Sequence, residues 1–164
     1  MSQRIADGRT MTHLAQLNIG RLLHAQDDPR VARFMDNLAL VNGLAERSDG
    51  FVWRLKGEGD GATDIAAASH PGFIFNLSVW RDGEALKAFV FKTVHKKFLG
   101  QRENWFEKLA TPHFVMWHVP AGHEPTLAEA LERREILARE GPCEQAFGWE
   151  GLANAGARSG PSPA

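Results

Sequence analysis

The chain predicts an α+β fold, a four-stranded antiparallel sheet with helices on one face, and three observations carry that reading. Four short stretches alternate or run apolar in the manner of strands, at Leu14–Leu22, Phe51–Lys56, Phe73–Trp80 and His113–Val119. Capped helical stripes separate the first from the second and the third from the fourth. A chain of 164 residues, with 43% hydrophobic residues and a net charge of −1, suits one domain with a sizeable core.

In the first strand Ala15, Leu17 and Ile19 oppose Leu14, Gln16, Asn18 and Gly20. One face is therefore purely apolar, and Asn18 lies on the mixed one. Asp28-Pro29 then starts a helix, a cap residue followed by proline at the first helical position. It runs to about Arg47, with Gly50 beyond it as a stop signal. Val31, Phe34, Met35, Leu38, Val41 and Ala45 share one stripe, and Asn42 falls in its middle. A polar residue there needs a partner on a neighbouring strand or a ligand.

Phe51, Trp53 and Leu55 occupy one face of the second strand, Val52 and Arg54 the other. The segment 57–71 is rich in Gly and Ala and reads as a mobile hairpin loop. Its acids lack the ordered spacing of a calcium loop. The third strand delivers Asn76, Ser78 and Trp80 to one face. Asp82 caps the next helix, whose apolar positions are Leu86, Phe89, Val90 and Val94. On an unbroken helix His95 lies opposite Leu86 and points away from the sheet. It meets the third strand if the helix ends or bends near Lys92-Thr93.

Gln101–Leu109 reads as a further short helix presenting Trp105, Phe106 and Leu109, stopped by Thr111-Pro112. The fourth strand is apolar on both faces, which predicts a central strand covered on both sides. His113 and His118 alternate onto its opposite faces. Thr126 and Glu129 form a capping box that opens a last helix to about Glu140, with Leu127, Ala130, Leu131, Leu137 and Ala138 as its apolar stripe. Residues 1–12 read as a flexible extension, 13–150 as the folded domain, and 151–164 as a disordered tail.

The order of strands and helices is the ferredoxin-like arrangement. With helices on one face only, the other face would show Leu17, Ile19, Leu77 and Val79 to water, which predicts a symmetric homodimer burying it.

Composition narrows the function. Charge is balanced and no basic stripe exists, so nucleic acid is not an expected partner. No apolar run of about 20 residues exists, so neither is a membrane. The N-terminal ten residues lack the apolar centre of a signal peptide, and the expectation is a cytoplasmic protein. Five Trp and ten Phe supply flat apolar surface, while the absence of Tyr removes a tyrosine acid, base or radical. One cysteine, Cys143, excludes an internal disulfide. The histidines show no ligand spacing, so no metal is expected. What remains is a pocket for a small hydrophobic molecule, framed by Asn76, Trp80 and His95. Asn18 and Asn42 are candidate ligand contacts. Trp53, Trp105 and Trp117 read first as core, with Trp53 and Trp105 kept as candidate substrate contacts.

Val79-Trp80, Glu84-Ala85-Leu86 and His95 with Phe98 or Leu99 resemble the antibiotic biosynthesis monooxygenase-like domains of the dimeric α/β barrel superfamily. The longer strings LAQLNIGRL, DNLALVNGLAERSDGFVWRL, ATDI and NLSVW resemble more closely a bacterial family of that superfamily catalogued only as a domain of unknown function. The likeness covers about His13 to Phe147. It implies a dimeric barrel and two chemistries. In the first, an aromatic or polyketide-like ring is oxidised without metal or flavin. Asn76 donates to an oxyanion, Trp80 packs on the ring and His95 acts as acid or base. In the second, haem is held by counterparts at Asn18, Trp80 and His95, with Lys96, Lys97 and Arg102 near its propionates. No cofactor is expected under the first. A ligand-binding dimer without catalysis is the third reading.

Overall fold

The computed structural model describes residues 11–25, 28–56, 72–92, 105–109 and 112–151. The strands are β1 (Thr12–Arg21), β2 (Phe51–Arg54), β3 (Phe73–Trp80) and β4 (Phe114–Pro120). The helices are α1 (Ala32–Glu46), entered through a 3-10 turn at Pro29–Val31, then α2 (Gly83–Lys92) and α3 (Leu127–Glu140). The strands form one antiparallel sheet in the order β2-β3-β1-β4. The α+β class and the ferredoxin-like sheet follow the expectation.

Local chemistry sets the element ends. Asp28 accepts from the Arg30 backbone N–H at 2.8 Å, and Pro29 follows it, so the first turn is capped and pre-shaped. Asp82 Oδ1 accepts from the Ala85 N–H at 2.9 Å and opens α2. Gly50, with φ of 86°, makes the turn from α1 into β2, where its carbonyl accepts from the Arg81 N–H at 2.7 Å. Thr126 Oγ1 accepts from the Glu129 N–H at 3.1 Å. Glu129 does not complete a capping box by reaching back. It accepts instead from the Trp117 indole N–H at 3.0 Å and pairs with His123 at 2.8 Å, which ties α3 to β4.

The two sheet faces bury different clusters. Leu14, Trp80 and Met116 pack with Ala45 of α1 and with Ala85, Leu86, Phe89 and Val90 of α2. On the opposite face Ala15, Leu17, Leu77, Val79, Val115, Trp117 and Val119 pack beneath Leu127 and Ala130 of α3. The expectation of helices on one face alone is therefore corrected. Leu17 is 0% exposed and Leu77 2%, within a single chain. At roughly 1.5–3 kcal/mol for each fully buried large aliphatic side chain, this part of the face is stabilised by its packing under α3. Within α3, Ile136 joins the apolar contacts, while Ala138 is exposed.

Three further expectations change. A register shift between Phe51 and Trp53 puts Phe51 opposite Trp80 and Trp53 opposite Val79, on different faces. Strict alternation could not foresee that bulge. β4 is an outer strand, not a central one. It is covered on both faces, and its outer edge pairs with the C-terminal segment: the Met116 N–H donates to the Phe147 carbonyl at 2.7 Å, and the Phe147 N–H to the Met116 carbonyl at 3.0 Å. That pairing closes an edge that would otherwise invite strand addition. Finally, residues 105–109 are not helical. The Leu23 N–H donates to the Trp105 carbonyl, Leu22 bridges Phe106, and the Glu107 N–H donates to the Arg21 carbonyl, so this segment runs beside the end of β1. The N-terminal extension to residue 10, the 57–71 loop, His95 and the tail from residue 152 lie outside the described residues.

Candidate functional site

A cavity of about 400 Å³ lies between the helix-covered face of the sheet and helices α1 and α2. That is the size of a site for a small organic molecule. The register gives its floor in rows. Asn18 of β1 stands opposite Asn76 of β3, with Phe114 of β4 on its other side. One row up, Gln16 stands opposite Ser78, flanked by Met116 and, on the β2 side, Arg54. The next row holds Leu14, Trp80 and Phe51. Val41, Asn42 and Ala45 from α1 and Leu86, Phe89 and Val90 from α2 form the roof. Phe34, Trp105 and Phe106 close one end, and Trp149, stacked on Phe114 at 5.3 Å, lines another part of the wall.

Five of the sequence-predicted contacts line this one space: Asn18, Asn42, Asn76, Trp80 and Trp105. Trp53 does not. The bulge sends it to the α3 side, where it packs against the opposite core. His95 cannot be placed, because it lies outside the described residues.

Two buried polar residues that were not among the expected ligand contacts organise the floor. Gln16 Nε2 donates to Ser78 Oγ at 2.7 Å and to Asn76 Oδ1 at 2.8 Å, and the Trp80 indole N–H donates to Ser78 Oγ at 2.9 Å. Gln16 and Ser78 are each 5% exposed. Their signal was the period of two, which sets Gln16 on the face of Asn18 and Ser78 on that of Asn76.

Proton counting gives this network a direction. Ser78 Oγ already accepts two hydrogen bonds, so its own O–H is left to donate. Both Gln16 Nε2 hydrogens are spent. Asn76 Oδ1 accepts from Gln16, which leaves its Nδ2 hydrogens to donate. Among the described residues neither the Ser78 hydroxyl hydrogen nor Asn76 Nδ2 meets a protein acceptor, and the Asn18 and Asn42 amides have no side-chain partner. The floor therefore aims two neutral donors, the Ser78 O–H and Asn76 Nδ2, into an apolar chamber, beside the Asn18 amide, which can donate or accept. Trp80 is 1% exposed, stacked on Phe89 at 5.3 Å and edge-on to Phe51 at 5.4 Å. Its indole serves as wall and as a clamp on Ser78.

Charge enters at the β2 edge. Arg54 Nε donates to Glu46 Oε1 at 2.6 Å, joining β2 to the end of α1, and this bond holds the Glu46 carboxyl below the usual carboxylate range. His113 lines the rim. Among the described residues no three His, Cys, Asp or Glu side chains gather as a metal site would need, and no helix is long and apolar enough to cross a membrane.

No functionally curated protein matches the chain. Among solved structures, it is similar to a protein of unknown function from Nitrosomonas europaea, at 14% identity and a TM-score of 0.45, over 71% of this chain and 95% of that one. Neither result carries the wider likeness to monooxygenases. The more specific likeness is met by a family model that matches residues 13–161. The chain belongs to the family described as domain of unknown function DUF3291.

Proposed function

We propose that the chain binds a small, largely apolar molecule whose oxygen acceptor sits on the donor floor of the cavity. The observation that carries this reading is the saturated Ser78 oxygen. With Gln16 and Trp80 both donating to it, the hydroxyl hydrogen is free to bond only an acceptor in the cavity. A carbonyl, phenolate or enolate oxygen fits that position, and the surrounding Phe and Trp walls fit its apolar body. Titrating the purified protein with 2-naphthol and 2-acetonaphthone, followed by tryptophan fluorescence, tests it. Saturable binding that Ser78→Ala weakens about tenfold supports the reading. Unsaturable quenching, or affinity unchanged in that variant, would count against it.

The enzymatic form of the proposal is cofactor-independent oxidation of an aromatic or polyketide-like compound. Donors on the floor suit an oxyanion that develops on such a substrate. A base takes the activating proton. A ring methylene then gives up two hydrogens and gains one oxygen atom of dioxygen as a carbonyl, the other atom leaving as water. His95 is the base in this reading, with His113 at the rim as the described imidazole nearest the cavity. Loss of turnover in His95→Ala, with folding intact, tests the assignment.

Haem is a weaker occupant. Among the described residues the cavity offers an imidazole only at its rim, and a single guanidinium, Arg54, for the two propionates of a haem. Mixing with hemin and looking for a Soret shift decides it. A dimeric barrel draws support from a partly exposed apolar strip on the α3 side, formed by Trp53, Leu55, Phe73 and Phe75 at the margin of that core. Light scattering on the purified chain measures the mass.

A further inference from the structure

The geometry points to Arg54 as a specificity residue that selects an anionic ligand, an aromatic or otherwise lipophilic carboxylic acid. The inference rests on reading the cavity as a binding site and adds the charge of what enters it. Three observations converge. Arg54 stands beside Ser78 in the β2–β3 register, so the polar row Gln16–Ser78 ends in its guanidinium. It lines the cavity, while its counter-ion Glu46 is on α1 and does not. Its Nε serves Glu46 and one Nη1 bond reaches the Leu55 carbonyl at 3.4 Å. A guanidinium carries five N–H donors, so most remain for another acceptor.

The Ser78 hydroxyl, Asn76 Nδ2 and the remaining Arg54 N–H groups are therefore able to donate, and the acceptors beside them on the described floor are neutral amide oxygens, those of Gln16 and Asn18. Arg54 is the permanently charged side chain lining the cavity among the described residues. A planar guanidinium matches a carboxylate in two parallel bonds, and a partly desolvated site strengthens both. An acid whose carboxylate meets Arg54 extends its apolar body across Asn76 toward the Phe and Trp wall. A cationic or polyanionic molecule finds no complement there.

The ligand carboxylate and Glu46 compete for one guanidinium, which gives the test two opposite arms. The probes are 2-naphthoate and its neutral methyl ester, with affinities from calorimetry at pH 7.5. The wild-type chain is expected to bind the acid at least tenfold more tightly than the ester. Arg54→Met should bring the acid to the level of the ester. Glu46→Gln, which releases Arg54, should tighten the acid severalfold and leave the ester unchanged, and it answers the question even if Arg54→Met fails to fold. Equal affinities for acid and ester in the wild type, or no response of the acid to Glu46→Gln, would overturn the role of Arg54 while the cavity stands as a binding site. Binding of neither probe would remove the cavity reading and this inference together.

Discussion

Gln16 and Ser78 face each other across the β1–β3 pair, and Gln16 Nε2 donates to Ser78 Oγ at 2.7 Å beneath the cavity floor. The same oxygen accepts from the Trp80 indole at 2.9 Å. One hydroxyl thus joins an amide to an indole and directs its own proton away from both. Ser78→Ala removes the acceptor and leaves the buried Trp80 N–H with no partner. An unpaired buried donor costs about 1–3 kcal/mol, so chemical denaturation should show a loss of that order. In a double-mutant cycle, Gln16→Leu and Ser78→Ala should couple by about 1 kcal/mol, as residues in one hydrogen-bonded network do. Strict additivity would show that the bond contributes nothing.

Much of this floor was legible before any coordinates. Alternation set Asn18, Asn76, Ser78 and Trp80 on one sheet face, and the interrupted stripe of α1 set Asn42 above them. Cap chemistry fixed the starts at Asp28, Asp82 and Thr126. What the pattern could not carry were departures from its own period and contacts distant in sequence. The bulge before Trp53 reversed the faces of β2. The third helix reads as amphipathic but carries no mark of which sheet face it will cover. The outer-edge pairing of β4 depends on Phe147, some thirty residues further along the chain, and no local signal links it to Met116.

That pairing yields a second expectation. Phe147 is 1% exposed and lies in the cluster that holds Leu14, Trp80 and Met116. Phe147→Ala should cost about 3–5 kcal/mol, the usual loss for emptying a buried phenylalanine site. It should also loosen the cover on the edge of β4, so hydrogen exchange at the Met116 amide should quicken more than at the Leu17 amide. Equal acceleration at both sites would mean the segment supports the sheet as a whole and has no special hold on that edge.

His118 gives the stability a pH dependence of fixed sign. Its ring packs 5.3 Å from that of Phe147, and lost hydration lowers its pKa from the ordinary imidazole value, opposed in part by a hydrogen bond with the His13 backbone. A folded-state pKa below the unfolded one means the unfolded chain binds the proton more readily. The contribution of His118 is therefore complete above about pH 6.5, the unperturbed value, and is lost as pH falls toward the lower folded value. Melting temperatures between pH 8 and pH 5 should decline, and the decline should be shallower in His118→Gln. An identical slope in the variant would assign the acid sensitivity to other groups.

The far end of the cavity depends on one missing methyl group. A Cβ built on Gly20 would collide with the Phe106 ring, meeting Cδ1 and lying 2.6 Å from Cε1. The ring has little room to retreat, because it stands edge-on to Phe34 at 4.9 Å in a cluster with Trp105 and Val31. Gly20 and Phe106 both line the cavity, so the open direction for the displaced ring is into that space. Gly20→Ala should destabilise the fold by about 1–3 kcal/mol, as overpacking does, and should weaken ligand binding at the same time. Phe106→Leu, which shortens the obstructing group, should restore stability in the Gly20→Ala background beyond what the two single changes predict by addition. If the double variant were merely additive, close approach of the ring would not be the reason that glycine occupies this position.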